Sequence, residues 1–180
     1  MPEYSPSEAE KKEVFNEHIW YEANMVHYGT LYNNTNLAHK HRILNNLILE
    51  SVVLHARVLI QFFTNATRGR GGRDKDPRAR DFLKEGAVWT LPVIDETHYP
   101  NLKKVIDKAD KEIAHLSYER VPVREKKTNW DLVGILEEIS TIFDSYLPLC
   151  REDYEVEKLH KLVKTSLKLV EDLKKQEILR

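Results

Sequence analysis

The stretch from Leu37 to Asn65 constrains the fold of this chain more than any other part of its sequence. Placed at about 100° per residue around a helix, it is apolar on most sides. Its polar interruptions include Asn46, Glu50, His55 and Arg57. Because a bilayer would disfavour these side chains, the pattern predicts a buried helix and no membrane span. A helix of this kind needs other helices around it, which predicts a bundle.

Four further stretches carry helix signals. Pro residues and cap candidates mark their ends, and no convincing alternating strand lies between them. The predicted helices run from about Glu8 to Tyr32, from Asn101 to Tyr118, from about Asn129 to Tyr146 and from Asp153 to Glu177. A short helix up to Lys84 and an extended connector over 89–97 are expected between them. The sequence therefore predicts one all-α domain over residues 1–180, a helical bundle of about five main helices.

Composition narrows the class of protein further. The chain has 180 residues, of which 41% are hydrophobic and 32% charged, and its net charge is −1. A near-neutral chain is not drawn as a whole to nucleic acid, so any such binding needs a local patch. The lone cysteine, Cys150, excludes an internal disulfide and fits a reducing compartment, and the polar N-terminus has no apolar core of a signal peptide. A cytoplasmic location follows as an expectation.

A polar stripe on the central helix is the first candidate site. Asn46, Glu50, Arg57 and Gln61 fall within a sector about 60° wide on the helical wheel. Charged groups on a mostly buried helix are costly unless they are paired. The stripe is therefore interpreted either as a polar cleft or dimer surface, or as a solvent-facing or internally paired set of side chains.

A second polar cluster lies near the end of the helix that begins at Asn101. His115 falls about 130° from the centre of that helix's apolar face, and Lys111, Tyr118 and Arg120 are its neighbours in sequence. Adjacent cations favour the neutral imidazole, which suits a general base. The alternative is that His115 satisfies the last carbonyls of the helix.

The run from Asp110 to His115, Asp-Lys-Glu-Ile-Ala-His, resembles the signature of the HEPN superfamily, small helical bundles that often act as metal-independent RNases. The resemblance implies a homodimer in which arginine and histidine side chains of two subunits meet and cleave RNA through its 2′-hydroxyl. It implies His115 as the general base. Asp110 stands where the family has its arginine, and Lys111 offers charge without the planar fork of a guanidinium. Arg57 or Arg120 could supply that group, with Glu50 and Tyr118 in support, so the chain is interpreted as an RNase or as an inactive relative.

The segment over 67–80 is predicted to be a flexible basic loop. From Arg68 to Arg80 it has six basic and two acidic residues. Arg68, Arg70 and Arg73, separated by glycines, suit contacts along a phosphate backbone, as Lys111 and Arg120 do. RNA is therefore the partner expected for this loop, against the alternative of an ordinary solvated loop.

Two other classes of function stay open. One is a non-enzymatic helical interaction module, in which Glu50, Arg57 and His115 connect helices. The other is a Mg²⁺-dependent all-α nucleotide hydrolase, to which the acidic pairs at 137–138 and 152–153 and Asp144 have some likeness. The His39-Lys-His41 spacing makes the two side chains diverge on a helix, so no metal site and no cofactor are predicted.

Overall fold

The computed structural model describes residues 5–35, 41–65, 76–109 and 129–178. Helices dominate these ranges, in which no strand occurs and the only β-type contact is one isolated bridge between Leu83 and Cys150. The helices are α1 (Glu8–Glu13), a π-helical segment (Val14–Ile19), α2 (Trp20–Asn33), α3 (Arg42–Thr64), α4 (Pro100–Ala109), α5 (Leu132–Tyr146) and α6 (Val156–Ile178). The first three are continuous, so the described ranges contain five main helices and the predicted all-α bundle is confirmed.

The helix starts follow the cap residues. Ser7 caps α1: its hydroxyl accepts the backbone N–H of Glu10 at 3.2 Å, and the Glu10 carboxylate accepts the backbone N–H of Ser7 at 2.8 Å. This reciprocal pair satisfies two of the N–H groups that a helix start leaves unbonded. Asp131 caps α5 by accepting the backbone N–H of Gly134 at 2.8 Å. The predicted start of α1 at Glu8 is confirmed, whereas α5 begins at Leu132, three residues after the predicted Asn129. The π-helical segment was not predicted.

Helices α2 and α3 pack side by side in opposite directions. Glu22, near the start of α2, contacts His55 in the second half of α3, and Gly29, later in α2, lies against Val52. A Cβ atom at Gly29 would lie 2.4 Å from Cγ2 of Val52, so the close approach of the two helices depends on this glycine.

Aromatic side chains fill the core where α3 and α5 end. Phe63 contacts Phe143 at a ring-centroid distance of 4.8 Å and Tyr146 at 5.4 Å, both with the rings nearly perpendicular. The Tyr146 hydroxyl donates to the carbonyl of Ala79 at 2.8 Å, which holds the 3₁₀ turn Ala79–Phe82 against the bundle. Edge-to-face aromatic contacts and a satisfied hydroxyl make this end of the core well determined.

Two predicted elements differ from the structure. The short helix expected up to Lys84 is a 3₁₀ turn over Ala79–Phe82. The connector that follows agrees with the prediction, since it has no helix from Trp89 until Pro100. The second difference concerns α3, which was expected to be buried on most sides. One of its faces is open to solvent instead, because α2, α4 and α5 pack against its other sides.

Candidate functional site

Most of the sequence-predicted site residues lie outside the described ranges. His115, Tyr118, Lys111 and Arg120 belong to the segment 110–128, and Arg68, Arg70 and Arg73 belong to 66–75. The contacts of these residues, including the predicted approach of His115 to Glu50 and Arg57, therefore stay predictions.

The points at which these two segments join the bundle are described. Residue Asn65 follows the last turn of α3, which packs on the C-terminal end of α5 through Phe63 and Phe143. Helix α4 runs the other way along α5: Asn101 bonds to Glu138, and further along Lys104 bonds to the carbonyl of Asn129, just before α5 begins. The described residues that precede these two segments, Asn65 and Ala109, therefore lie toward opposite ends of α5.

The polar stripe of α3 lies on the open face of the helix. Asn46 and Gln61 are exposed, and Glu50 and Arg57 are half-buried. This is the arrangement expected of the solvent-facing alternative or of a dimer surface, and it differs from an internal polar cleft.

The same face carries large aliphatic side chains, which sequence reasoning had assigned to the core. Ile43 is 78% exposed, Leu47 58%, Leu54 37% and Val58 45%. Their spacing of four, seven and four residues puts them on one side of the helix. These four residues are the aliphatic row of α3.

Helix α2 adds a row of tyrosines beside the aliphatic row. Tyr21, Tyr28 and Tyr32 are each about half exposed, and their spacing of seven and four residues puts them on one face. The Tyr21 ring meets the His55 ring edge-on at 5.5 Å, which places the tyrosine row next to α3. Together the aliphatic row and the tyrosine row form what we call the outer face.

A histidine–carboxylate pair lies at the boundary between the two rows. The Nδ1 atom of His55 is 2.6 Å from a carboxylate oxygen of Glu22, and both side chains are only about one-fifth exposed. Sequence reasoning noted His55 only as an interruption of an apolar helix. The pairing has no local signal, because the two residues are 33 positions apart on different helices.

A second histidine pairs with a serine inside the bundle. The Nδ1 atom of His27 is 2.9 Å from the hydroxyl of Ser166, and that hydroxyl donates to the carbonyl of Leu162 at 2.9 Å. When the serine proton is directed to that carbonyl, the Nδ1–H group of the ring donates to Ser166. Burial lowers the pKa of His27 and favours its neutral form. The pair joins α2 to α6, and because Ser166 is only 2% exposed its hydroxyl lies out of reach of a substrate.

The acidic residues on which the Mg²⁺-dependent alternative depends each contact a different group. Glu138 accepts the backbone N–H groups of Asn101 and Leu102 at 3.1 and 2.9 Å and so caps α4. The other pairs are Glu137 with Lys174, Asp144 with His160, Glu152 with Lys84, and Asp153 with Arg151. Within the described ranges no group of three or more histidine, cysteine or acidic side chains could hold a metal ion.

The single cysteine is part of the core. The Cys150 thiol is buried and contacts the carbonyl of Tyr146 at 3.7 Å. Burial raises the pKa of Cys150 to about 12, so the reactive thiolate is scarce at neutral pH. Cys150 is therefore a packing residue.

Comparison with known proteins adds no family to these observations: no family model, no curated protein and no solved structure matches this chain. By length and composition alone, Ile43–Thr64 could cross a membrane, and 39% of its most apolar window is buried in the bundle. The outer face combines exposed aliphatic and tyrosine side chains with a few polar groups, and it is the strongest candidate site among the described residues.

Proposed function

We propose that this chain is a HEPN-like, nucleic-acid-associated helical domain that works as a homodimer and uses the outer face as its subunit interface. The observation that carries the proposal is the exposed aliphatic row of α3 beside the tyrosine row of α2. The all-α bundle is the fold that the resemblance implies. The basic sequence from Arg68 to Arg80 and the run ending at His115 favour RNA as the ligand.

The outer face has the chemistry of a protein–protein interface. Monomeric proteins rarely expose large contiguous apolar patches, and interface cores are enriched in tyrosine. Three half-exposed tyrosines alone leave on the order of 300 Å² that a partner could cover. A standard interface buries about 800 Å² on each partner, and the aliphatic row with its flanking polar residues supplies further area. Covering apolar surface stabilises a complex by about 25 cal/mol per Å².

The order of charges on α3 favours a second copy of this chain as the partner. Glu50 lies four residues before Leu54, and Arg57 lies three residues after it. When two copies of such a helix cross in opposite directions at Leu54, the acidic end of one meets the basic end of the other. A two-fold interface needs this kind of self-complementary surface.

A titration with RNA tests the nucleic-acid part of the proposal. Labelled single-stranded RNA would be mixed with the full chain in EDTA, and its anisotropy and length would be followed at several salt concentrations. We expect binding that weakens with salt. A plot of the logarithm of the binding constant against the logarithm of the salt concentration should have a slope whose magnitude falls by about 0.7 for each phosphate contact removed. Changing Arg68, Arg70 and Arg73 to Gln should reduce that slope. The matched control changes three exposed lysines of α6 to Gln: Lys161, Lys164 and Lys168.

The same samples distinguish an RNase from an inactive relative. Cleavage in EDTA that is lost in His115→Ala would identify a metal-independent RNase, and binding without cleavage would identify an inactive relative. If the chain neither binds nor cleaves RNA, the nucleic-acid part of the proposal is overturned. The second candidate, a non-enzymatic interaction module, would then take its place, and the exposed outer face favours it equally.

A further inference from the structure

A small cleft opens at the end of α3, away from the outer face. Its volume is about 170 Å³, and its walls come from three separate stretches of chain: the end of α3, the 3₁₀ turn and the connector that follows. The lining residues are Phe63, Asn65, Ala79, Arg80, Trp89 and Leu91.

The apolar part of the cleft is fixed by hydrogen bonds and ring contacts. The indole N–H of Trp89 donates to the carbonyl of Phe63 at 3.0 Å, and the Trp89 ring packs on Tyr146 at 5.1 Å between centroids. The Tyr146 hydroxyl holds the carbonyl of Ala79 from the other side. A ligand would therefore meet a preformed aromatic surface and would not have to order it.

Two polar side chains belong to the same cleft. Arg80 and Asn65 are exposed, and neither side chain makes a hydrogen bond or ion pair with any residue in the described part of the chain. Arg78, two residues away, differs in that its guanidinium is buried and bonds to Asp81 at 2.9 and 3.2 Å. The positive charge of Arg80 is therefore available to a ligand, as are the donor and the acceptor of the Asn65 amide.

We infer that this cleft binds one nucleotide, with the base against Trp89 and the phosphate on Arg80. An aromatic wall suits the flat face of a base, an amide suits its edge, and a guanidinium suits a phosphate. Sites for larger ligands usually measure about 300 to 1,000 Å³, so this cleft would enclose the base alone and leave the ribose and phosphate at its solvent-exposed rim, where Arg80 lies. The inference rests on the proposed function for the choice of a nucleotide among flat anionic ligands.

Nuclear magnetic resonance of the full chain tests the inference directly. The chain has three tryptophans, Trp20, Trp89 and Trp130, and their indole N–H signals report on three places at once. The ligands are adenosine 5′-monophosphate, uridine 5′-monophosphate, adenosine and inorganic phosphate. We expect both nucleotides to shift the Trp89 signal in a saturable way and to leave the other two unchanged. Adenosine should bind more weakly, and phosphate alone should bind weakest.

Variants separate the roles of the two polar side chains. Arg80→Gln should weaken binding of both nucleotides by about tenfold or more while leaving adenosine unchanged, since it removes only the charged contact. Asn65→Ala should weaken the binding of nucleotides and of adenosine alike. Lys168→Gln, on α6, should change the binding of neither ligand. The inference is overturned if the Trp89 signal does not move with either nucleotide, or if Arg80→Gln binds both as tightly as the unaltered chain.

The nucleotide and RNA experiments together show whether the cleft inference or the proposed RNA role fails. Nucleotide binding at Trp89 without any RNA binding would support the cleft and contradict the RNA role. RNA binding that is unaffected by Arg80→Gln, with no shift at Trp89, would contradict the cleft and leave the RNA role in place.

Discussion

The imidazole of His55 and the carboxylate of Glu22 meet at 2.6 Å on the boundary between α2 and α3, directly beside the outer face. The contact fixes the register of the two helices that carry the tyrosine row and the aliphatic row. Both partners are mostly buried, so this pair is worth more than a surface contact.

Breaking this contact should destabilise the chain measurably. We expect Glu22→Gln to lower the free energy of unfolding by about 1 kcal/mol, the usual value for one partly buried hydrogen bond. Urea unfolding of Glu22→Gln, His55→Gln and the double variant would give the coupling energy of the pair. Strictly additive effects of the two changes would show that the contact contributes nothing.

The close approach of α2 and α3 gives a second prediction. Gly29→Ala improves helix propensity by about 1 kcal/mol, but its new Cβ would lie 2.4 Å from Cγ2 of the fully buried Val52. Overpacking of this kind costs about 1 to 3 kcal/mol, so we expect a net loss of stability in urea unfolding.

A compensating change serves as the control for Gly29. Val52→Ala removes the clashing methyl group, so the cost of Gly29→Ala should be smaller in that background than in the unaltered chain. If Gly29→Ala stabilised the chain on its own, the helices would not be in contact at this point.

Stability should depend on pH through His27. Because burial lowers its pKa in the folded state, the unfolded chain takes up a proton on this side chain at a higher pH than the folded chain does. The free energy of unfolding should therefore fall as pH drops below about 6.5, the ordinary value for histidine, until the folded form is also protonated.

Two substitutions isolate this effect from the other histidines. His27→Gln should flatten the decline of stability between pH 6.5 and the lower pKa of the folded state, measured by urea unfolding at each pH. His18→Gln, at an exposed position, is the matched control and should leave the decline in place. An unchanged slope in His27→Gln would contradict the assignment.

The fold was predictable because its signals are local. Ser7 with Glu10, and Asp131 ahead of α5, mark helix starts within a few residues, and periodicity gives the helices between them. The outer face was not predictable, because Ile43 and Leu47 look like core residues in any helical pattern. Only the positions of the neighbouring helices show that nothing in the described bundle covers them.

The candidate sites depend on contacts between distant stretches of chain. His55 meets Glu22 because the close packing at Gly29 fixes how α2 and α3 align. The cleft at the end of α3 joins Asn65, Arg80 and Trp89, which no spacing rule connects. The sequence identified Arg80 only as one charge of a basic segment. Side chains that meet across a bundle are set by helix packing, which single-sequence periodicity does not report.

The mass of the full chain in solution, measured by sedimentation equilibrium at micromolar concentration, tests whether the outer face is a subunit interface. One chain has a mass of 21.2 kDa, and we expect twice that value for the unaltered protein. Leu47→Glu, which puts a charge into the aliphatic row, should sediment as a single chain that keeps the helical circular dichroism spectrum of the unaltered protein and melts at a somewhat lower temperature, because the dimer no longer stabilises the fold. Val93→Glu, at an exposed position on the connector, should remain a dimer. A single-chain mass for the unaltered protein, or a Leu47→Glu variant that stays dimeric, would contradict a homodimer formed through the outer face.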